Sequence, residues 1–325
     1  MARILTGIQS TGTPHLGNIL GAILPAIELS KQSNNESFLF IADMHSLTQI
    51  KDGARLREST YSVAATWLAC GLDTDRTVFY RQSDIPETAE LAWILSCFFP
   101  YQRLTLAHSF KDKSDRLEDV NAGLFTYPML MAADILLYDA EKVPVGKDQL
   151  QHLEMTRDVA SRYNHQMGET FVVPEADVQE STMYVIGTDG NKMSKSRDNY
   201  IDIFLPEKEL KDVINKKIVT DATPLEDPKV AEGSSVYELY KLVAGTDRAG
   251  EMREKLARGG YGWGHAKREL FEAILDRFAA ERGRYNALMG NKEEIEEALK
   301  VGAAKAREVA GGVMSRVRGG VGFGG

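Results

Sequence analysis

The stretch that decides the fold is Ile4-Leu5-Thr6-Gly7-Ile8, followed by Thr11-Gly12-Thr13-Pro14-His15-Leu16-Gly17-Asn18. The first run is short and apolar, which is typical of a buried strand. The second is a polar turn that leads into an amphipathic stretch, so we expect a helix to start near Leu16 or Gly17. Backbone N–H groups at a helix start form an anion site, and His15 stands where it can either cap the helix or donate a hydrogen bond to a bound anion.

Short apolar runs alternate with amphipathic stretches through the first half of the chain. We predict strands over residues 4–8, 38–42, 78–80 and 143–145, and helices over residues 17–33, 54–70, 87–98, 129–138 and 149–164. This alternation implies parallel βαβ units with right-handed crossovers, and therefore an α/β fold with a doubly wound, Rossmann-like parallel sheet. Ligands of such sheets bind beyond the carboxyl ends of the strands.

The periodicity becomes almost entirely helical after Pro206. Candidate helices cover residues 207–219, 236–244, 249–258, 265–286 and 292–318, separated by prolines and glycines. We therefore predict a doubly wound domain over residues 1–186, a mobile linking loop over 187–205, an all-helical domain over 206–318 and a flexible glycine-rich tail over 319–325.

The composition sets only broad limits on partners. A net charge of −8 does not by itself indicate a nucleic-acid binder, although the C-terminal stretch is locally basic at Lys300, Lys305, Arg307, Arg316 and Arg318. That stretch fits either a solvated helix face or a surface for nucleic-acid phosphates. No apolar window is long enough for a membrane span and no signal-peptide pattern opens the chain, so we expect no membrane contact and a cytoplasmic location. The two cysteines are too far apart for a metal site, and we predict none.

A second motif, Lys192-Met193-Ser194-Lys195-Ser196, follows the turn-forming run Gly187-Thr188-Asp189-Gly190-Asn191. Two ammonium groups on a turn suit a transient polyanion, such as a leaving pyrophosphate, better than a buried structural role. Taken alone, the segment fits a solvated loop equally well. Its presence together with the His15 turn favours the binding interpretation.

Two further segments carry isolated polar groups. Asp134 stands in the apolar run Tyr127-Pro128-Met129-Leu130-Met131-Ala132-Ala133-Asp134, where a buried carboxylate needs a partner. It either bonds to neighbouring backbone or a tyrosine hydroxyl, or it accepts from a ligand N–H such as that of indole. Further on, Gly146 permits close backbone approach at a strand end, and Asp148 and Gln149 open the next helix. A strand–glycine–aspartate–helix turn is also a common capping arrangement.

The turn at His15 and the segment at Lys192 resemble the two signatures of class I aminoacyl-tRNA synthetases. Asn18 replaces the usual final histidine of the first signature, and Lys192-Met193-Ser194-Lys195-Ser196 matches the second without departure. Together with the Asp134 and Gly146 segments, their order and spacing are similar to those of bacterial or organellar tryptophanyl-tRNA synthetases over nearly the whole chain. The resemblance implies that residues 1–186 bind ATP and tryptophan and that the helical domain binds the tRNA anticodon.

The resemblance also implies a role for each matching residue. Catalytic residues would be His15, Asn18, Lys192 and Lys195. ATP would be bound by Gln9, Ser10, Thr11, Gly17, Asn18, Gly146, Lys147, Asp148, Met183, Lys192, Met193, Ser194, Lys195 and Ser196, with Met183 and Met193 flanking adenine. Tryptophan would be bound by His45, Tyr127, Met131, Asp134 and Gln149, with Asp134 reading the indole N–H.

The implied reaction is activation of L-tryptophan by ATP to tryptophanyl-adenylate, followed by transfer to the 3′ end of tRNA(Trp). Mg²⁺ would be carried on ATP. The resemblance implies a homodimer through the nucleotide-binding domains, with residues 89–99 and 115–125 as the candidate contacts. Three alternatives stay open. A tyrosyl-tRNA synthetase shares the fold and both signatures, a class I-like nucleotidyltransferase is a more remote candidate, and a catalytically silent paralogue is the non-enzyme alternative.

Overall fold

A parallel β-sheet organises the first half of the chain in a computed structural model, which describes residues 2–107, 120–146, 149–178 and 184–324. Within those residues the sheet has five strands in the order β3-β2-β1-β4-β5, and all neighbouring strands pair in parallel. This confirms the predicted α/β class and all four predicted strands. The strands are β1 (Ala2–Gln9), β2 (Asn35–Ala42), β3 (Thr77–Arg81), β4 (Lys142–Val145) and β5 (Glu175–Val178).

The sequence did not indicate strand β5. Its four residues include Glu175 and Asp177 and have no apolar run. The strand lies at the edge of the sheet, where charged side chains are tolerated because they reach solvent and discourage pairing with other chains. The apolar pattern that reveals buried strands is therefore missing at this position.

Helices cover both faces of the sheet. The first begins at Leu16, as predicted, and passes through a π-helical turn (Ile19–Ile23). The helix predicted to start at residue 129 starts at Ala122, because Asn121 caps it by accepting from Leu124 N at 3.2 Å, and the helix accommodates Pro128. Among the described residues of this half, the helices are α1 (Leu16–Asn18), α2 (Leu24–Ser30), α3 (Asp43–Ser46), α4 (Gly53–Ala69), α5 (Glu87–Phe98), α6 (Tyr101–Leu104), α7 (Ala122–Leu136) and α8 (Leu150–Met167).

The second half is helical, as predicted. The expected single helix over residues 265–286 is in fact two helices, because the chain leaves helical geometry at the buried Phe278 (φ −106°, ψ 20°). None of the helices in the described ranges has the length and apolarity to cross a membrane. The helices are α9 (Glu207–Lys217), α10 (Ser235–Ala244), α11 (Thr246–Arg258), α12 (Trp263–Arg277), α13 (Ala279–Gly290) and α14 (Lys292–Val321).

Helix α14 returns to the sheet and packs along β3. Gly302 is the point of closest approach, because a Cβ there would overlap the Phe79 backbone carbonyl. The helix continues to Val321, so residues 319–321, which we assigned to a flexible tail, are helical. Gly320 lies against the hydroxyl of Tyr163, where a Cβ would be 2.9 Å away, and that hydroxyl donates to Val317 O at 2.9 Å. Glycine is used here for packing rather than for flexibility.

The basic residues of α14 are bonded to the α/β half. The side chain of Lys305 donates to Thr74 O at 3.2 Å, and that of Arg307 donates to Asp84 O. Arg316 pairs with Asp139 at 2.6 Å, and Arg318 pairs with Glu90. These four cations therefore help to hold α14 on the α/β half, a use that the sequence did not predict.

Replacing Gly302 by alanine is expected to lower the free energy of unfolding by about 1–3 kcal/mol, because the added methyl forces α14 away from β3. Gly311 on the same helix is the matched control, since a Cβ there meets nothing within 4 Å. Gly311→Ala should raise the free energy of unfolding by about 0.5–1 kcal/mol through helix propensity. Urea unfolding of both variants checks the pair, and equal values for the two would contradict the close packing at Gly302.

Candidate functional site

The turn between β1 and α1 is fixed by a reciprocal capping arrangement. His15 Nδ1 accepts from Asn18 N at 3.2 Å, and Asn18 Oδ1 accepts from His15 N at 3.2 Å. Because Nδ1 accepts, the ring proton lies on Nε2, which is left as a donor. Burial and the charge of Lys195 lower the pKa of His15 to about 4, so the imidazole is neutral near pH 7. Asn18 thus orients His15 through the cap.

The two signature segments meet at this turn. Lys195 Nζ donates to Gly12 O at 2.8 Å, and the backbone N–H of Gly17 points at the Met193 sulfur at 3.3 Å. Burial lowers the pKa of Lys195 to about 8, which leaves the ammonium mostly charged near pH 7. A cation and a neutral imidazole donor are therefore brought together at the carboxyl end of β1, a pair suited to binding phosphate oxygens. The backbone N–H groups of Leu16, Gly17 and Asn18 are all bonded within the protein, unlike the free anion site expected from the sequence.

A cavity of about 430 Å³ lies between these segments. Its wall includes two residues of the π-helical turn: Gly21, which has no side chain, and Ala22, which has only a methyl group. The predicted ATP-site residues that line it are Gln9, Thr11, His15, Gly17, Asn18, Lys192, Met193, Ser194, Lys195 and Ser196.

The remaining predicted ATP-site residues are placed differently. Ser10 is fully buried and its hydroxyl donates to Ser46 Oγ at 3.1 Å, so its side chain supports the turn from behind. Gly146 lines two neighbouring pockets instead of the large cavity. Lys147, Asp148 and Met183 lie outside the described residues.

A second pocket, of about 280 Å³, opens between the ends of β1 and β4 and helix α7. Gln9 lines both this pocket and the larger cavity, so the two adjoin at the end of β1. All five residues predicted to bind the amino acid line it: His45, Tyr127, Met131, Asp134 and Gln149.

Asp134 is buried at the wall of this pocket and has two protein partners. His45 Nε2 lies 2.7 Å from Asp134 Oδ2, and Gln82 Nε2 donates to Asp134 Oδ1 at 2.7 Å. Burial raises the pKa of Asp134, and the bonds from His45 and Gln82 oppose that rise. Its partners are therefore two side chains, and not the neighbouring backbone or the tyrosine hydroxyl considered from the sequence. Each oxygen still has a second lone pair for a ligand donor.

Sequence reasoning did not identify Gln82. It is buried directly after β3, and its Oε1 accepts from Met44 N at 3.1 Å, which fixes the amide so that its NH₂ faces Asp134. Its position at the carboxyl end of a predicted strand was the only signal in the sequence. Tyr127, whose ring lies against His45, accepts from Gln9 Nε2 through its hydroxyl at 2.9 Å.

The fold and the paired signatures define a class I aminoacyl-tRNA synthetase. Residues 1–279 match the family model described as tRNA synthetases class I (W and Y). The chain is 47% identical over 332 residues to the tryptophan–tRNA ligase of Pseudomonas aeruginosa, covering 99% of this chain and 74% of that protein. It is 44% identical over 330 residues to the enzyme of the same name from Neisseria meningitidis, covering 99% and 98%.

A solved structure of a similar protein has the same fold. Tryptophanyl-tRNA synthetase from Campylobacter jejuni, complexed with ADP and tryptophan, superposes with a TM-score of 0.95 at 44% identity, covering 99% of this chain and all of that one. The chain belongs to the tryptophan–tRNA ligases, also called tryptophanyl-tRNA synthetases, of the class I family.

Proposed function

We propose that the chain activates L-tryptophan with ATP in the two adjoining pockets and transfers the tryptophan to the 3′ end of tRNA(Trp). Its family supports this activity, since the relatives named above are tryptophan–tRNA ligases. One observation carries the assignment of the pockets. Gln9 lines both the cavity between the two signature segments and the pocket that has Asp134 in its wall. A carboxylate bound in the second pocket would therefore lie near phosphates bound in the first.

In the activation step, a carboxylate oxygen of tryptophan attacks the α-phosphorus of ATP. A new P–O bond forms, the bridging bond between the α- and β-phosphates breaks, and pyrophosphate leaves. His15 donates through Nε2–H to a phosphate oxygen, while Lys192 and Lys195 stabilise the charge that grows on the leaving group. The protein mainly positions the reactants and supplies preorganised donors.

For recognition of the substrate, the indole N–H donates to Asp134, and Met131 and Tyr127 contact the rings. Because His45 and Gln82 hold both carboxylate oxygens in place, the acceptor is fixed before the ligand arrives. We propose that Mg²⁺ enters with ATP as part of the substrate, coordinated by phosphate oxygens and water, which are the ligands it prefers.

In the second step, a ribose hydroxyl at the tRNA 3′ end attacks the carbonyl carbon of the adenylate, and AMP leaves. We propose that the helical part of the chain from residue 206 provides the anticodon-binding domain, and that the protein acts in the cytoplasm.

The test of the proposed function is transfer of labelled tryptophan to purified tRNA(Trp) in the presence of ATP and Mg²⁺. We expect charging that disappears when periodate destroys the tRNA 3′ diol, and no charging of intact tRNA would contradict the proposal.

We propose further that a second copy of the chain covers a groove next to α5. The groove has a volume of about 600 Å³ and joins residues of α3, α5 and α7. Trp93 on its wall is 71% exposed and Leu47 is 48% exposed, which is unusual for large apolar side chains that face one groove. Helix α5 was one candidate for a dimer contact from the sequence. Of the other candidate, residues 115–125, the structure describes residues 120–125.

Trp93→Glu is expected to make the protein monomeric at micromolar concentrations where the wild type is a dimer, because it buries a charge in an apolar contact. Sedimentation velocity measures the mass of each species. Val230→Glu is the matched control, since Val230 is 74% exposed but lies in the helical half. If both variants and the wild type sediment alike, the groove is not a contact between copies.

A further inference from the structure

The side chain of Asn199 is buried behind the Lys192 segment and is only 1% exposed. Its Oδ1 accepts from Ser194 N at 2.7 Å. Its Nδ2 donates to Lys192 O at 3.0 Å and to Asp189 Oδ1 at 2.7 Å. An asparagine amide has two N–H donors, so both are used. The activation step described above gives Asn199 no role that would explain these three bonds.

Two of these bonds lie on opposite sides of Met193, one at the carbonyl of Lys192 and one at the N–H of Ser194. The third reaches the turn that precedes the segment. The backbone adds to this connection, since Thr188 N donates to Asn199 O at 2.9 Å. One buried amide therefore connects the turn and both flanks of Met193 in a single arrangement.

The amide has little freedom to move. Gly187 lies against it, and a Cβ at that position would be 2.5 Å from Asn199 Nδ2 and 2.6 Å from its backbone oxygen. On the other side, Met193 N donates to Val185 O at 2.9 Å, which fixes the segment to the neighbouring chain. Any shift of the amide would break bonds to the backbone of the signature itself.

We propose that Asn199 is a positioning residue for the activation step, holding Lys192 and Lys195 where they stabilise the leaving pyrophosphate; this rests on the proposed function. Asn199 lines neither pocket and acts through the backbone at Lys192 and Ser194. Loss of its amide donors should therefore impair the transition state, in which both lysines must be placed together, more than the binding of tryptophan in the second pocket.

The test replaces Asn199 by aspartate, which keeps the shape, removes both donors and sets a carboxylate against Asp189. We expect kcat for tryptophan-dependent ATP–pyrophosphate exchange to fall by about 10²-fold, as for loss of a preorganised stabilising group. The Kd for tryptophan, measured by protein fluorescence without ATP, should stay within about 3-fold of wild type. Asn191→Ala is the control: it removes an exposed 3.1 Å bond to Asp189 without touching the buried amide, and it should exchange at the wild-type rate.

The reciprocal swap Asp189→Asn with Asn199→Asp supplies the rescue. Asparagine at 189 can donate to aspartate at 199, and the aspartate still accepts from Ser194 N, so at least about 10-fold of the lost kcat should return. Should N199D fail to fold, Asn199→Ala carries the same expected split between kcat and Kd.

Three results would overturn the proposal: kcat within about 3-fold of wild type in a folded variant, an equal loss of kcat and tryptophan affinity, or no rescue by the swap. A wild-type enzyme that shows no exchange with tryptophan would instead contradict the proposed function, so the two failures are distinguishable.

Discussion

Replacing Lys195 by alanine is expected to slow formation of tryptophanyl-adenylate by about 10²–10³-fold, the effect of losing one preorganised charge donor. In the structure the ammonium is bonded to Gly12 O at 2.8 Å, at the wall of the cavity that we assign to ATP. A phosphate oxygen can take the place of that carbonyl. Because the charge on pyrophosphate grows as the α–β bond breaks, the lysine stabilises the transition state more than the bound substrates. Rapid-quench measurement of adenylate formation gives the rate directly.

Arg197→Ala is the matched control, since Arg197 is an exposed cation two residues away in the same segment, and it should change the rate little. The pH dependence gives a second check. The pKa of Lys195 is lowered to about 8, so its charge, and with it kcat/KM for ATP, should decline as the pH rises through 8. Arginine at this position stays charged and should remove that decline. A higher Kd for tryptophan with an unchanged rate in Lys195→Ala would contradict this role.

Changing Asp134 to asparagine is expected to lower kcat/KM for tryptophan by about 10-fold to 100-fold, the range for losing a charge-assisted hydrogen bond of about 1.5–3 kcal/mol. Discrimination against phenylalanine should shrink by the same factor, because phenylalanine has no N–H and leaves the carboxylate with an unmet acceptor in the wild type. Pyrophosphate exchange with tryptophan, tyrosine and phenylalanine on both proteins measures the change.

The pairing of Asp134 with His45 and Gln82 changes the expectation for stability. Asp134→Ala would leave both donors buried without their partner, at a cost of about 1–3 kcal/mol each, so we expect a lower melting temperature rather than the small change that an unpaired carboxylate would give. Asparagine keeps the shape and is the better probe. The substrate control is the tryptophan analogue with sulfur in place of the indole N–H, which should be used equally by wild type and variant. If a folded variant retains its full preference for tryptophan, the indole is read elsewhere.

The fold of the first half could be predicted because local patterns and tertiary structure agree there. The apolar run of β1 and the polar turn at His15 determine a strand, a loop and a helix start within a few residues of one another. The return of α14 to β3 could not be predicted, because it depends on contacts such as Gly302 against Phe79, which are far apart in the sequence. The break at Phe278 was also missed, because the apolar period continues through it.

The functional site also has some residues that the sequence reveals and others that only the fold reveals. Both signatures can be read as residue strings, and the structure brings them together at Gly12 and Lys195. Gln82 and Asn199 carry no such string, since their importance comes from where a buried amide finds its partners. Gln82 meets Asp134 only because the ends of β3 and α7 are adjacent in the fold. Asn199 is close to its partners in sequence, yet nothing in the sequence alone indicates that its side chain points inward.

The central claim is that the pocket at Asp134 selects tryptophan and delivers it to ATP in the adjoining cavity. ATP–pyrophosphate exchange measured with each of the twenty amino acids tests this most directly. The account predicts rapid exchange with tryptophan and slower exchange with tyrosine. Exchange with phenylalanine should be at least about 10²-fold slower, on the scale by which a buried polar acceptor rejects a ligand that lacks the donor. Preferential exchange with tyrosine, or exchange that depends on no amino acid, would contradict it.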